Sequence, residues 1–292
     1  MSIVIDWFYI GKERKFMYKG YNLEIDNSEN QSLFGVEDLE LEEYQKKIDE
    51  FQVIIKENFE KEFKLPRNDL NEVDASKIIK DWFPQFKVDV FISHSHSDTR
   101  TAKRLAVWLK REFDLNVFID SMVWGYANKL LKIIDNKYSV LKQNEDTTTY
   151  NYDTRNQTTS HVHMMLSTAL NDMIYNTECL LFLNTPTTIK VRDVKKNTSS
   201  PWIYSELKMA SIVEKKYPRK KKVLESIEKN YFGLQHENRS VDDFLYDVTK
   251  DLSKLENIKM SDLKNWKKLY LDDENAVHAL DLLYFKMNEV TR

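Results

Sequence analysis

The feature that most constrains this chain is an alternation running from about residue 88 to residue 216. Short β-branched and aromatic runs, Val88-Asp-Val-Phe-Ile, Asn116-Val-Phe-Ile-Asp and Cys179-Leu-Leu-Phe-Leu, each precede a stretch with apolar residues at helical spacing. After the first run these are Ala102, Leu105, Ala106, Leu109 and Phe113, with Asp98 placed to cap the helix; after the second they are Leu130, Ile133 and Ile134. The third run leads to Ser200-Pro-Trp, where Ser200 suits an N-cap and Pro201 the first helical turn. A polar stretch, Asn144 to Ser160, reads as a long loop, followed by a helix from Val162 to Ile174. Strand, helix, strand, helix, strand, helix in this order points to a parallel sheet with right-handed helical crossovers. The predicted fold class is therefore α/β.

The flanks read differently. Residues 1–27 carry two β-rich runs, from Ile3 and from Lys15, around Gly11, and predict a hairpin. From Val36 to Phe63, Leu41, Tyr44, Ile48, Phe51, Ile55 and Phe59 fall three and four apart, an amphipathic helix that Pro66 ends; Ser76 to Phe83 is a further short helix. Arg219 to Lys222 with Val223-Leu reads equally as an edge strand or a loop, and Ser240 to Asn288 reads as helices. The expected organisation is an N-terminal hairpin-plus-helix extension (1–86), an α/β domain (87–217) and a C-terminal helical region (218–292).

Composition excludes several function classes. Lys plus Arg number 44 and Asp plus Glu 47, so the basic excess usual for nucleic-acid binding is missing. No stretch of about 18 apolar residues suits a membrane span, and the start lacks a basic n-region and an apolar h-region, so a cytoplasmic location is expected. A single cysteine, Cys179, forms neither an internal disulfide nor a cysteine-built zinc site, and reads as a small hydrophobe on a buried strand. With five glycines and no G-x-G-x-x-G string, a glycine-fingerprint dinucleotide fold is ruled out.

In a parallel α/β sheet, ligands bind beyond the carboxyl ends of the strands. That rule selects Ser93 to Asp98, Ser121 to Tyr126, and the segment from Asn184 through Ser200 to Glu206. Trp202 and Glu206 stand at i and i+4 on one helix face, where an aromatic slab can bind a flat ring and desolvation can raise the carboxyl pKa; the same spacing also suits Trp202 as a core residue. His161 and His163 lie near the expected helix start, one packed or capping and the other solvated. His94-Ser-His96-Ser-Asp98 also resembles the H-x-H-x-D signature of the metallo-β-lactamase superfamily, which would imply a metal-dependent hydrolase. Thr99 in place of a further histidine, and a glycine-poor, helix-rich chain, argue against that reading, and no metal is expected.

Asp89-Val-Phe-Ile-Ser-His-Ser, Val117-Phe-Ile-Asp, Leu180-Leu-Phe-Leu-Asn and Ser200-x-Trp-x-x-x-Glu-Leu, in this order and spacing, resemble the Toll/interleukin-1 receptor (TIR) domains, bacterial ones above all. The resemblance covers about residues 88–216 and implies a flavodoxin-like sheet. It further implies cleavage of the nicotinamide–ribose bond of NAD, as substrate rather than cofactor. Glu206 would then be the catalytic glutamate, stabilising an oxocarbenium ion through the ribose hydroxyls. Ser121 to Tyr126 would be the loop beside the nicotinamide, with Trp124 or Tyr126 stacking on the ring. Ser93 and His94 would line the mouth of the first strand, Ser93 either binding ribose or phosphate or serving as a turn residue. Self-association, a role in anti-phage defence and an effector that responds to a nucleotide product follow from the same resemblance. The alternative is a TIR adaptor that oligomerises without catalysis.

Overall fold

The computed structural model describes residues 18–25, 33–60, 66–83, 88–144, 147–186, 188–192, 195–216, 245–273 and 277–290. The chain enters on β1 (Lys19–Glu24) and continues through α1 (Asp38–Glu60) and α2 (Ala75–Trp82). The expected alternation follows as β2 (Val90–Ser93), α3 (Thr99–Phe113), β3 (Val117–Ile119) and α4 (Ser121–Tyr138). A small antiparallel hairpin, β4 (Val140–Gln143) and β5 (Thr148–Tyr150), leads into α5 (Tyr152–Tyr175) and then β6 (Cys179–Asn184). Beyond it come β7 (Lys190–Arg192), β8 (Lys195–Thr198) and α6 (Pro201–Ile212). The described C-terminal part comprises β9 (Tyr246–Asp247), α7 (Thr249–Leu252), β10 (Glu256–Lys259), α8 (Met260–Leu271) and α9 (Ala279–Val290).

Five strands form one all-parallel sheet in the order β10-β1-β6-β2-β3. β2, β3 and the first five residues of β6 are buried without alternation, as a sheet covered on both faces requires. Two groups of helices supply the cover. In one, α3 packs on α1 and α8, and α8 on α9; in the other, α5 packs on α4, α6 and α2. Phe113 of α3 stacks on Trp266 of α8 at 3.9 Å between ring centres, tying the C-terminal part to the sheet's helical layer.

Two local expectations change, and a third lies mostly outside the described residues. The polar stretch from Asn144 to Ser160 is mostly the β4–β5 hairpin and the first turns of α5, which Asn151 caps by accepting from the Thr154 N–H at 2.9 Å. Threonine and asparagine are neutral to unfavourable inside helices, but a strong cap and a long buried stripe from Thr158 to Ile174 outweigh that local preference. Second, the expected hairpin of residues 3–18 lies almost wholly outside the described residues, as do Arg219 to Lys222, while β1 pairs with β6 over six residues in the middle of the sheet. Third, the C-terminal part is not purely helical, because β10 forms the sheet edge beside β1. Lys19-Gly-Tyr-Asn-Leu-Glu carries little β signal, and its buried Asn22 is accommodated only because it donates to Asn257 of β10 at 2.7 Å. The three regions that composition set apart therefore share one sheet and one hydrophobic core, running from Tyr21 and Leu41 through Phe91 to Ile258 and Leu283.

Candidate functional site

Crossovers leave the sheet in opposite directions at neighbouring strands: β2 leads through α3 to β3 on one side, and β6 leads past β1 to β10 on the other. This is a topological switch point, and its crevice lies beyond the carboxyl ends of β2 and β6. A cavity of about 650 Å³ occurs at this end, lined by the starts of three helices: Thr99 of α3, Ser121 and Met122 of α4, and Trp202 of α6 with its cap Ser200. Ser200 accepts from the Ile203 N–H, and Pro201 occupies the first turn, as expected. By contrast, neither Asp98 nor Asp120 caps its helix through the side chain, so the first N–H groups of α3 and α4 lack that partner. Lys103 on the wall adds a cation, and its partial burial draws its pKa below the ordinary value. Three helix N-termini and a lysine favour an anionic ligand.

One step along the chain behind this wall lies a buried polar cluster. Ser93, the last residue of β2, donates from Oγ to Glu206 Oε2 at 2.5 Å. Glu206 sits one turn beyond Trp202 in α6 and is only 1% exposed. Its Oε1 finds no hydrogen-bond partner under ordinary carboxylate geometry among the described residues. Burial, and next the negative charge of Asp120, hold its pKa well above the usual carboxylate range, while the Ser93 hydroxyl opposes this. Burial and the neighbouring Asp120 thus both favour the protonated form of Glu206. The Asp120 carboxylate, which ends β3, approaches His94 Nε2 at 2.9 Å. The same Nε2 lies 3.0 Å from Ser121 Oγ, and His94 Nδ1 lies 2.5 Å from the Ser95 carbonyl. A carbonyl only accepts, so Nδ1 carries a proton. His94 is fully buried; desolvation opposes its charge, but Asp120 and the Ser95 carbonyl together raise its pKa.

Four residues predicted from sequence, Ser93, His94, Ser121 and Glu206, are thus brought together, and Trp202 stands on the cavity wall beside them. His161 and His163 are both exposed in the middle of α5, not one of them packed or capping at its start, and the His163 and Trp202 rings meet edge-to-face at 5.6 Å. The loop from Ser121 to Tyr126 that the resemblance implies is instead the start of α4, whose Gly125 costs a helix only about 1 kcal/mol. The side chains of Trp124 and Tyr126 lie outside the described residues. Asp98 accepts from Ser95, Thr185 and Thr188, with the two threonines at 2.8 and 2.6 Å, which fastens the start of α3 to the loop after β6. His96 is exposed and His94 enclosed, and among the described residues no group of three or more His, Cys, Asp or Glu side chains is arranged to hold a metal ion. Sequence reasoning missed Asp120 and Lys103. An acidic residue closing a buried parallel strand was the available signal for Asp120; for Lys103 there was none.

Compared with protein-family models, curated proteins and solved structures, the chain gives no significant match. No described helix is long and apolar enough to cross a membrane.

Proposed function

We propose that this chain is a TIR-type enzyme that cleaves the nicotinamide–ribose bond of NAD. The observation that carries the reading is the meeting of Ser93 and Glu206 at 2.5 Å, beside a second carboxyl, at the switch point of a parallel sheet and next to a cavity of ligand size. Helix N-termini and Lys103 suit a pyrophosphate, and Trp202 suits a flat ring. The sheet supports the flavodoxin-like part of the proposal. Taking β2 as the first strand, β3, β2 and β6 fill the first three places of the 2-1-3-4-5 order, and β1 and β10 occupy the last two. In this reading an N-terminal strand replaces the one that would follow α6.

Glu206 is closed off in the described state, so the reading requires Trp202 or Met122 to move aside when the dinucleotide enters. Ribose hydroxyls then take the place of Ser93, and ionisation of Glu206 becomes favourable as positive charge grows on the sugar. Nicotinamide leaves whether the product is ADP-ribose, a cyclised isomer or a conjugate. The same burial favours a second reading, in which the cluster is structural and the chain is a non-catalytic TIR adaptor that self-associates. Incubation with NAD, followed by chromatography of released nicotinamide, separates the two. Release lowered by about 100-fold or more in Glu206→Gln supports the enzyme. No release, with no rise in melting temperature on adding NAD, overturns it.

A further inference from the structure

The N-terminal helix α1 lies outside the segment that resembles a TIR domain, yet two of its residues line the cavity. Gln45 and Ile48, three apart on one helix face, share the wall with Thr99 and Lys103, four apart on α3. α1 is seated by its buried Leu41, Tyr44 and Ile48 and by ion pairs to α3. Asp38 meets Arg100 at 2.6 Å and Arg104 at 3.2 Å, and Glu40 meets Arg111 at 2.9 Å. Within that frame the Gln45 amide is fixed at both of its polar atoms. Nε2 donates to Asp49 Oδ1, one turn on, at 2.6 Å, and Oε1 accepts from Lys103 Nζ. An ammonium carries three donors, so among the described residues two remain for a ligand in the cavity. Partial burial also strips water from this charge, which strengthens its attraction for an anion.

We propose that α1 is part of the dinucleotide site: Lys103 binds the pyrophosphate of the substrate, and Gln45 is the positioning residue that holds the ammonium at the cavity wall. The proposal rests on the NAD reading for its substrate and assigns to the N-terminal extension a share in binding it. Pyrophosphate is the anionic group of a dinucleotide and therefore the part that a lysine recognises. A lysine side chain is long and rotamer-rich, and tying Nζ to Gln45 removes part of that freedom before the ligand arrives. The partner's neutrality matters. A carboxylate here would cancel the ammonium and repel a phosphate, whereas an amide orients the charge and leaves it available. No bond is made or broken at Lys103, and its contact is the same in bound substrate and transition state, so it acts on binding rather than on the chemical step.

The test uses the full chain, titration calorimetry with inorganic pyrophosphate, and nicotinamide release at varied NAD. Lys103→Met weakens pyrophosphate binding by about 10-fold or more and raises the KM for NAD by a similar factor, with kcat within about threefold. Gln45→Ala weakens binding by about threefold or more in the wild type and adds nothing in the Lys103→Met background, because it acts only through the ammonium. Gln45→Glu weakens it further than Gln45→Ala. Both side chains are partly exposed, so these variants keep the fold. Absence of pyrophosphate binding, or equal affinity in wild type and Lys103→Met, overturns the anchor. A Gln45→Ala loss of the same size in both backgrounds overturns the positioning role. Nicotinamide release with pyrophosphate binding indifferent to Lys103 removes the anchor and leaves the NAD reading intact, and Lys103-dependent pyrophosphate binding without nicotinamide release does the reverse.

Discussion

Two buried glutamates at opposite ends of the same strand and crossover show what burial does and does not mean. Glu178 immediately precedes β6 and is fully buried; Tyr284 of α9 donates to its Oε1 at 3.1 Å, and its backbone carbonyl accepts from Tyr18 at the entry to β1. That glutamate joins the N-terminal strand, the central strand and the last helix. Glu206 is equally enclosed, but it belongs to the carboxyl end of the sheet, beside a second carboxyl and one turn from a cavity wall. An enclosed carboxyl is therefore not by itself a mark of function. Its place relative to the strand ends and to open space separates a fastening from a candidate reactive group.

The largest expected effect breaks the comparison outright. Glu206→Gln lowers nicotinamide release by about 100-fold or more, whereas Glu178→Gln leaves it within about threefold, measured at saturating NAD on proteins of matched fold. Equal losses in both variants would mean that Glu206 too is only a fastening. Next in size is stability: Tyr284→Phe removes one donor from the Glu178 carboxyl and costs about 1 kcal/mol in urea unfolding, while Ser121→Ala on the cavity wall costs less.

A third prediction uses pH. The folded-state pKa of Glu206 lies above its ordinary value of 4.5, so the native state holds this proton more tightly than the unfolded chain. The stability this contributes is full below 4.5 and is lost as pH rises through the folded value. Glu206→Gln has no proton to lose, so its unfolding midpoint gains on that of the wild type as pH rises above 4.5. A constant difference across that range would place the glutamate's titration at its ordinary value. The smallest effect is expected far from both glutamates. Asp114 ends α3 at φ 53°, the left-handed region, with an exposed pairing to Lys110. Asp114→Gly relieves the backbone at little cost in charge and raises stability by a few tenths to about 1 kcal/mol, read by thermal unfolding.

Much of the candidate site was legible because its residues sit where local rules apply. Ser93 ends an apolar strand run, Ser200 and Pro201 announce the start of α6, and Trp202 and Glu206 share a helical face by spacing alone. What escaped had no local signature. Lys103 is one lysine among many on amphipathic helices, and Asp120 becomes part of the cluster only because β3 pairs beside β2 and ends level with it. The resemblance implied a loop at residues 121–126 where α4 begins, and the threonines and asparagines of residues 144–160 concealed a hairpin and the first turns of a helix.

The sequence by itself determined the parallel α/β class, β2, β3 and β6, the starts of α3 and α6, and the buried positions Leu41, Tyr44 and Ile48 of α1. These follow from periodicity and capping, which act within a few residues. Only the tertiary structure decided that β1 and β10 complete the sheet, that Asn22 donates to Asn257 across it, and that Glu206 loses solvent beside Asp120. Each of those depends on segments distant in sequence becoming neighbours. Strand pairing, desolvation and the repulsion between two carboxyls are properties of the neighbour rather than of the residue, so no local pattern could carry them.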